Sequence, residues 1–264
     1  MYPTKYHRPA SIEDAVAALA GGEEAAVLAG GQTLLATMKQ HLASPSDLVD
    51  IRGIDGMSGV SVRGSLLTIG AATTHAEVAT NADVQNLCPA LANLASGIGD
   101  PAVRHMGTIG GSVANNDPAA DYPAALLALG ATIVTNKRDI AADDFFDGLF
   151  ATTLEDGEII TAVSITQPAK AAYAKFAQPA SLFALVGVFV ADGSGGVRVA
   201  VTGAGDNGVF RHSGLEKALS TEWSAGAIDG VDVSSEGLMS DLHGAADYRA
   251  HLIKVMAKRA VTAA

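Results

Sequence analysis

Residues 107–123 read GTIGGSVANNDPAADYP. Two adjacent glycines, a pair of asparagines and two aspartates flanked by prolines share one short stretch of a chain otherwise rich in helix formers. Any one of these residues serves ordinary turn chemistry. Together they describe a backbone shaped around a ligand. Gly110 and Gly111 let the chain approach a phosphate closely, and Thr108 and Ser112 on either side of Ile109 add hydroxyls. Asp121 has two readings. Its carboxylate accepts from a sugar or polyol hydroxyl, or it caps the helix expected to start at Tyr122.

A second Gly-Gly turn stands upstream in AGGQTLLATMKQ, residues 29–40. The apolar run ending at Leu28 predicts a short buried strand, residues 29–32 a turn, and residues 33–40 a helix whose N-terminus faces that turn. Free backbone N–H groups and the helix dipole favour an anion there. An ordinary strand-to-helix turn has the same composition, so that reading stays open. The segment is not a P-loop, because it lacks the Gly-Lys-Ser/Thr ending. Two such turns, Ala29, Gly30, Gly31, Gln32, Thr33 and Leu34 with Thr108 through Ser112, can form one concave nest of N–H donors suited to a pyrophosphate.

Around these loops the pattern alternates between helix and strand. SIEDAVAAL predicts an amphipathic helix behind a capping Ser11, and SDLVDI a strand. SLLTIGAATTHAEVAT reads as a strand and a helix, residues 82–96 as one longer helix, YPAALLALG as a helix and ATIVT as a strand. FFDGLFATTLEDGEIITAVSITQP reads as a helix or turn followed by the strand EIITAVSI. Pro168 and the alanines after it mark a boundary. Beyond it, AAYAKFA, LFALVGVFVAD and GVRVAVTGAG predict antiparallel strands, and RHSGLEKALS and DYRAHLIKVMAKRAVTAA predict helices. Alternation along the first of these strands puts Tyr173 and Lys175 on one face. The lysine either contacts a phosphate or an electron-rich ring, or is simply solvated.

Several function classes are excluded. With 28 acidic against 17 basic residues the chain carries a formal net charge of -11, and it has no basic cluster with interleaved aromatics. Nucleic acid is therefore not an expected partner. The single cysteine, Cys88, sits in an apolar setting. It cannot form an internal disulfide or alone ligate an iron–sulfur cluster or zinc. The seven histidines show no metal-binding spacing, and no serine or cysteine stands in a nucleophile elbow. GAGDNG, residues 203–208, matches G-x-G-x-x-G, but no second strand with a terminal acidic residue follows, so a plain turn is the expectation. No signal peptide and no apolar run long enough to cross a bilayer is found, and a cytoplasmic location is expected.

In order along the chain, AGGQTLLATMK, GDPAVRHMGTIGGSVANNDPAADYP, FFDGLFATTLEDGEIIT and AYAKF resemble the FAD-binding medium subunit of the molybdenum hydroxylases, the carbon monoxide dehydrogenase and xanthine dehydrogenase type. The likeness runs to roughly residue 210. The resemblance implies an α+β architecture of the PCMH, or vanillyl-alcohol-oxidase, type. Two α/β subdomains, at 1–55 and 56–170, would hold FAD between them, and an α+β domain of antiparallel sheet and helices would follow at 171–264. It places the FAD pyrophosphate on residues 29–34 and 108–112, and adds Asp121, Ile160 and Lys175 as cofactor-binding positions. It implies that a large subunit with the molybdenum cofactor and a small subunit with two-iron two-sulfur clusters stand beside this chain, as a dimer of heterotrimers. Electrons would pass from the clusters to FAD and on to an external acceptor. A self-sufficient flavoenzyme of the same superfold is the alternative. Where relatives carry Gly-Asp-Tyr, this chain has QPASLFA, with Phe183 in the place of the tyrosine.

Overall fold

A computed structural model describes all 264 residues, Met1–Ala264. The chain builds three sheets in succession. The first is parallel, in the order β1-β3-β2, from β1 (Lys5–His7), β2 (Ala25–Leu28) and β3 (Asp47–Asp50). Helix α1 (Ile12–Gly21) makes the first crossover. It is capped by Ser11, whose hydroxyl accepts from the Asp14 N–H at 3.1 Å, and it packs on β2 and β3. Helix α2 (Leu34–Lys39) makes the second, and Leu28, Met38 and Leu48 close a small core beneath it.

The second sheet holds β4 (Val60–Arg63), β5 (Leu66–Gly70), β6 (Thr132–Thr135), β7 (Asp139–Ala141) and β8 (Ile160–Thr166) in the order β4-β5-β8-β6-β7. Every neighbouring pair is antiparallel. The expected α/β pattern for this subdomain is therefore corrected to α+β. Leu67 and Ile69 are fully buried while Leu66 points out, the one-sided burial that suits antiparallel strands. All its helices fall between β5 and β6: α3 (His75–Thr80), α4 (Ala82–Leu87), α5 (Pro89–Ser96), α6 (Pro101–Arg104), α7 (Ile109–Asn115) and α8 (Tyr122–Leu129). Residues 82–96 form two helices, not one. Pro89 removes a backbone donor and disfavours helical geometry at Cys88, which takes φ -146° and ψ 70°. Helix α8 is apolar on every side and is buried accordingly, ending at Gly130 with φ 57°.

The third sheet, β12-β11-β10-β9, is antiparallel as expected, from β9 (Lys170–Ala177), β10 (Ala184–Gly193), β11 (Gly196–Thr202) and β12 (Phe210–Arg211). GAGDNG lies in the turn between β11 and β12, so it joins two strands. Helix α9 (Ser213–Thr221) packs on β11, and α10 (Ala246–Ala263) packs on β9 and β10. One face of the sheet meets these helices through Val186, Val188, Val190, Val199 and Val201. The other meets α8, and there Tyr173, Phe189, Ala191 and Ala200 belong to the main core of the second sheet and its helices. Covering on both faces explains why 184–191 is a continuous apolar run.

Phe189 is fully buried in that shared core and stacks on Tyr173 with ring centroids 6.0 Å apart. Phe189→Ala is expected to cost about 3–5 kcal/mol, read as a lower urea midpoint. A midpoint equal to wild type would mean that the third sheet does not share the core.

Candidate functional site

The two glycine loops meet. Beyond β2 the chain turns at Gly31, whose φ of +70° favours glycine, and enters α2. Gly30 abuts the other loop so closely that a Cβ there would overlap the Met106 carbonyl oxygen and lie 2.6 Å from Gly107 Cα. On the far loop, a Cβ at Gly110 would lie 2.5 Å from Ala71 Cβ. Only glycine allows this approach. Gly111 differs: a Cβ there would meet Thr108 Oγ1 at 2.9 Å and otherwise only Ala29 Cβ at 3.6 Å.

The loops do not share the donor work equally. The backbone N–H groups of residues 29–34 donate to no other group of the protein. On the second loop the Ile109 N–H donates to Thr73 O at 3.1 Å, Gly110 to Ala71 O at 2.8 Å, Gly111 to Thr108 Oγ1 at 3.1 Å and Ser112 to Thr108 O at 3.0 Å. The expected nest of donors from both loops is thus one-sided. The first loop offers N–H groups to an anion, while the second contributes shape, a close backbone and the Ser112 hydroxyl.

Between them opens a cleft of about 620 Å³, within the range of roughly 300–1,000 Å³ usual for small-molecule sites. Ala29, Gly30, Gly31, Gln32, Thr33 and Leu34 line it from the first sheet, and Thr108, Gly110, Gly111 and Ser112 from α7, with Asp121 and Ile160 completing it. Two expected residues stand outside the wall. Ile109 is fully buried in the core, and Lys175 lies behind Asp121. A second depression, of about 260 Å³ among Val231, Asp247 and Lys254, is smaller and contains none of these residues.

Asp121 does not cap α8. Its backbone is already helical, at φ -77° and ψ -43°, and its side chain makes no cap hydrogen bond. The carboxylate turns instead toward β9, where it accepts from the Tyr173 hydroxyl and from Lys175 Nζ at 3.1 Å. Gly187 on β10 makes room for this, because a Cβ there would overlap the Tyr173 hydroxyl and lie 2.9 Å from Cζ. Burial pushes the Asp121 carboxyl up from its ordinary value, and the Lys175 charge and both hydrogen bonds pull the other way. Burial, then the Asp121 charge, pushes the Tyr173 phenol well above its usual value, so it stays a hydroxyl donor. Lys175 is not solvated: its side chain is 12% exposed, and Nζ also donates to Gly97 O at 2.9 Å and Leu182 O at 3.1 Å. An ammonium has three donors. All three are engaged by protein atoms.

Other wall residues carry no sequence signature. Glu158 lines the cleft, but its carboxylate accepts from Arg138 Nε at 3.0 Å, Thr135 Oγ1 at 2.8 Å and the Glu155 N–H at 2.9 Å. Arg138 in particular pulls its carboxyl down to about 2. The 180–183 turn, including Phe183, forms part of the rim. His75 lines the cleft at the start of α3, 5% exposed, and neither ring nitrogen has a hydrogen-bond partner. The capping box of Thr74 and Glu77 fixes that helix start and is readable in sequence. That His75 faces a cleft is not.

Burial, helped by the positive charge of Arg104, lowers the His75 imidazole from 6.5 to about 4. The unfolded chain therefore binds a proton at a pH where the folded chain does not. Stability is expected to fall as pH drops from about 6.5 toward 4 and to level off below, by up to about 3 kcal/mol from this residue. Burial lowers His212 as well, with the same sign. Urea titrations across this range should show a shallower slope for His75→Gln, and an identical slope would contradict the burial argument.

Residues 2–168 match the family model described as the FAD binding domain in molybdopterin dehydrogenase. The carbon monoxide dehydrogenase medium chain of Hydrogenophaga pseudoflava is 33% identical, with 98% of this chain and 96% of that one covered. The nicotine 6-hydroxylase medium subunit of Paenarthrobacter nicotinovorans is 35% identical, with 98% and 96% covered. A solved structure of reconstituted CO dehydrogenase from Oligotropha carboxidovorans superposes with a TM-score of 0.90 at 33% identity, covering 99% of this chain and 98% of that one. Paired glycine loops around one cleft and a family match that spans them lead to the same place: this chain belongs to the FAD-binding family of the molybdopterin dehydrogenases.

Proposed function

We propose that the cleft between the two glycine loops holds FAD with its pyrophosphate on the 29–34 loop. The observation that carries this is that the backbone N–H groups from Ala29 to Leu34 have no partner in the protein and that the residues bearing them line a cleft of sufficient volume. Gly30, Gly31 and Gly111 let the backbone come close, and Gln32, Thr33, Thr108 and Ser112 add polar side chains. Gly110 and Ile109 hold the second loop against the core. Asp121 presents its carboxylate to a ribityl or sugar hydroxyl, Ile160 supplies apolar wall, and Lys175 acts through Asp121. Phe183 offers an aromatic face at the rim. Bound FAD supplies the capacity to take up two electrons and release them. The residues of the chain position it and limit what reaches it.

As a medium, FAD-binding subunit of an oxidoreductase of this family, the chain works in a heteromeric assembly. We propose a large molybdenum-cofactor subunit and a small iron–sulfur subunit as its partners, arranged as a dimer of heterotrimers in the cytoplasm. The sequence supports that division of labour. Cys88 is the single cysteine, and it is buried with its thiol pushed up to about 11 by desolvation, so it offers no thiolate to a cluster. No helix is long and apolar enough to cross a membrane. The divisions near residues 55 and 170 are proposed as the limits of three structural units, with FAD between the first two.

Reconstitution with FAD is expected to give the absorption bands of a bound flavin at one per chain, and their absence would overturn the assignment. Gly111→Glu places a carboxylate beside the anion site, and its Cβ is accommodated by a shift of the Thr108 hydroxyl, 2.9 Å away, that caps α7. It should weaken FAD binding by roughly 100-fold while lowering the stability of the ligand-free chain by no more than the loss of one helix cap, about 1 kcal/mol, read from the urea midpoint. Copurification of the complex with iron and molybdenum tests the proposed partners.

A further inference from the structure

Lys175 stands behind the cleft wall, yet its three donors reach three different wall segments. Gly97, whose carbonyl it bonds at 2.9 Å, leads directly into Ile98, Gly99 and Asp100 of the wall. Asp121, at 3.1 Å, lines the cleft itself. Leu182, whose carbonyl it bonds at 3.1 Å, lies in the 180–183 turn at the rim. That turn has little else to hold it in place. The Leu182 N–H donates to Gln178 O and the Gln178 N–H to Phe183 O, each at 2.8 Å, and both bonds lie within the turn. At its base the turn is closed by the pairing of Ala177 on β9 with Ala184 on β10, and Gln178 Nε2 lies 2.7 Å from His243 Nδ1. Leu182 has φ +63°, a left-handed conformation that branched side chains rarely adopt. Leu182 and Phe183 remain 40% and 48% exposed. The Lys175 ammonium is thus what ties this apolar rim, above the base of the β9–β10 hairpin, to the rest of the cleft wall.

We propose that Lys175 is a positioning residue that seats the 180–183 turn on the cleft and so sets how far an external electron acceptor can reach the bound FAD. The proposal rests on the cleft being the FAD site. A tetrahedral ammonium suits three acceptors arranged around it, whereas the planar fork of arginine does not. Lys175→Arg is therefore expected to behave as a loss variant.

The test uses the full chain loaded with FAD. Fluorescence quenching of the bound flavin by iodide, its reoxidation by ferricyanide after chemical reduction, and amide hydrogen exchange are compared between wild type and Lys175→Met. Loss of a charge-assisted hydrogen bond to the turn should raise quenching and reoxidation roughly fivefold or more. Exchange at 181–183 should quicken, while β10 stays protected and FAD is retained. Because Lys175→Met leaves Asp121 buried without its cation, a change that can unfold the chain, Lys175→Arg, which keeps a cation beside Asp121 but cannot place three donors on the same three acceptors, is run in parallel, and the same rise in quenching is expected. Unchanged quenching and exchange in a variant that holds FAD would overturn the proposal. Loss of FAD with unchanged exchange in the turn would make Lys175 a ligand and would overturn it too. Failure of wild type to take up FAD would instead overturn the cleft assignment on which the proposal stands.

Discussion

The contact of Gly30 with Met106 and Gly107 is the constraint on which the rest depends. Two backbone loops, one after β2 and one between α6 and α7, touch there with no space for a Cβ between them. Any side chain at Gly30 would separate the parallel sheet from the α6–α7 loop and open the cleft from its base. Around this contact the main core continues without a break, from Val49 and Ile51 of the first unit to Ile109 and Val113 of α7. The loops are thus fixed before a ligand arrives, which limits the ordering cost of binding.

The asymmetry of donors follows from how each loop is anchored. The second loop is tied down by bonds from its own N–H groups to Ala71 and Thr73, and the price of that rigidity is that few donors are left over. The first loop is anchored at its ends, by β2 and by the first bond of α2, and keeps its N–H groups free. A rigid wall facing an unsatisfied one is a workable anion site, because the free donors find their partner in the ligand while the other side fixes the distance.

Much of this was legible in the sequence. The paired glycines announced both loops, and alternation placed Tyr173 and Lys175 on one face, where both reach Asp121. The antiparallel third sheet followed from its apolar runs and turns. What sequence could not supply were directions decided by distant partners. Asp121 precedes a helix and reads as its cap, but β9 lies near enough to claim the carboxylate. His75 and Glu158 enter the wall through packing that no local pattern encodes. The antiparallel pairing of the second sheet was hidden because β8, which lies between β5 and β6, is separated from β5 by all the helices of that unit.

Gly187 ties two positions in sequence space. Tyr173 reaches Asp121 only across the space that a Cβ at 187 would fill, and the two residues sit on neighbouring strands. A larger residue at 187 is therefore tolerated only after position 173 has become smaller, and a tyrosine can be regained at 173 only while 187 is bare. The order in which these two sites can change is fixed by sterics. A lineage with a side chain at 187 has therefore already given up the hydroxyl that Asp121 holds, so drift at one silent-looking strand position reaches the wall of the cleft.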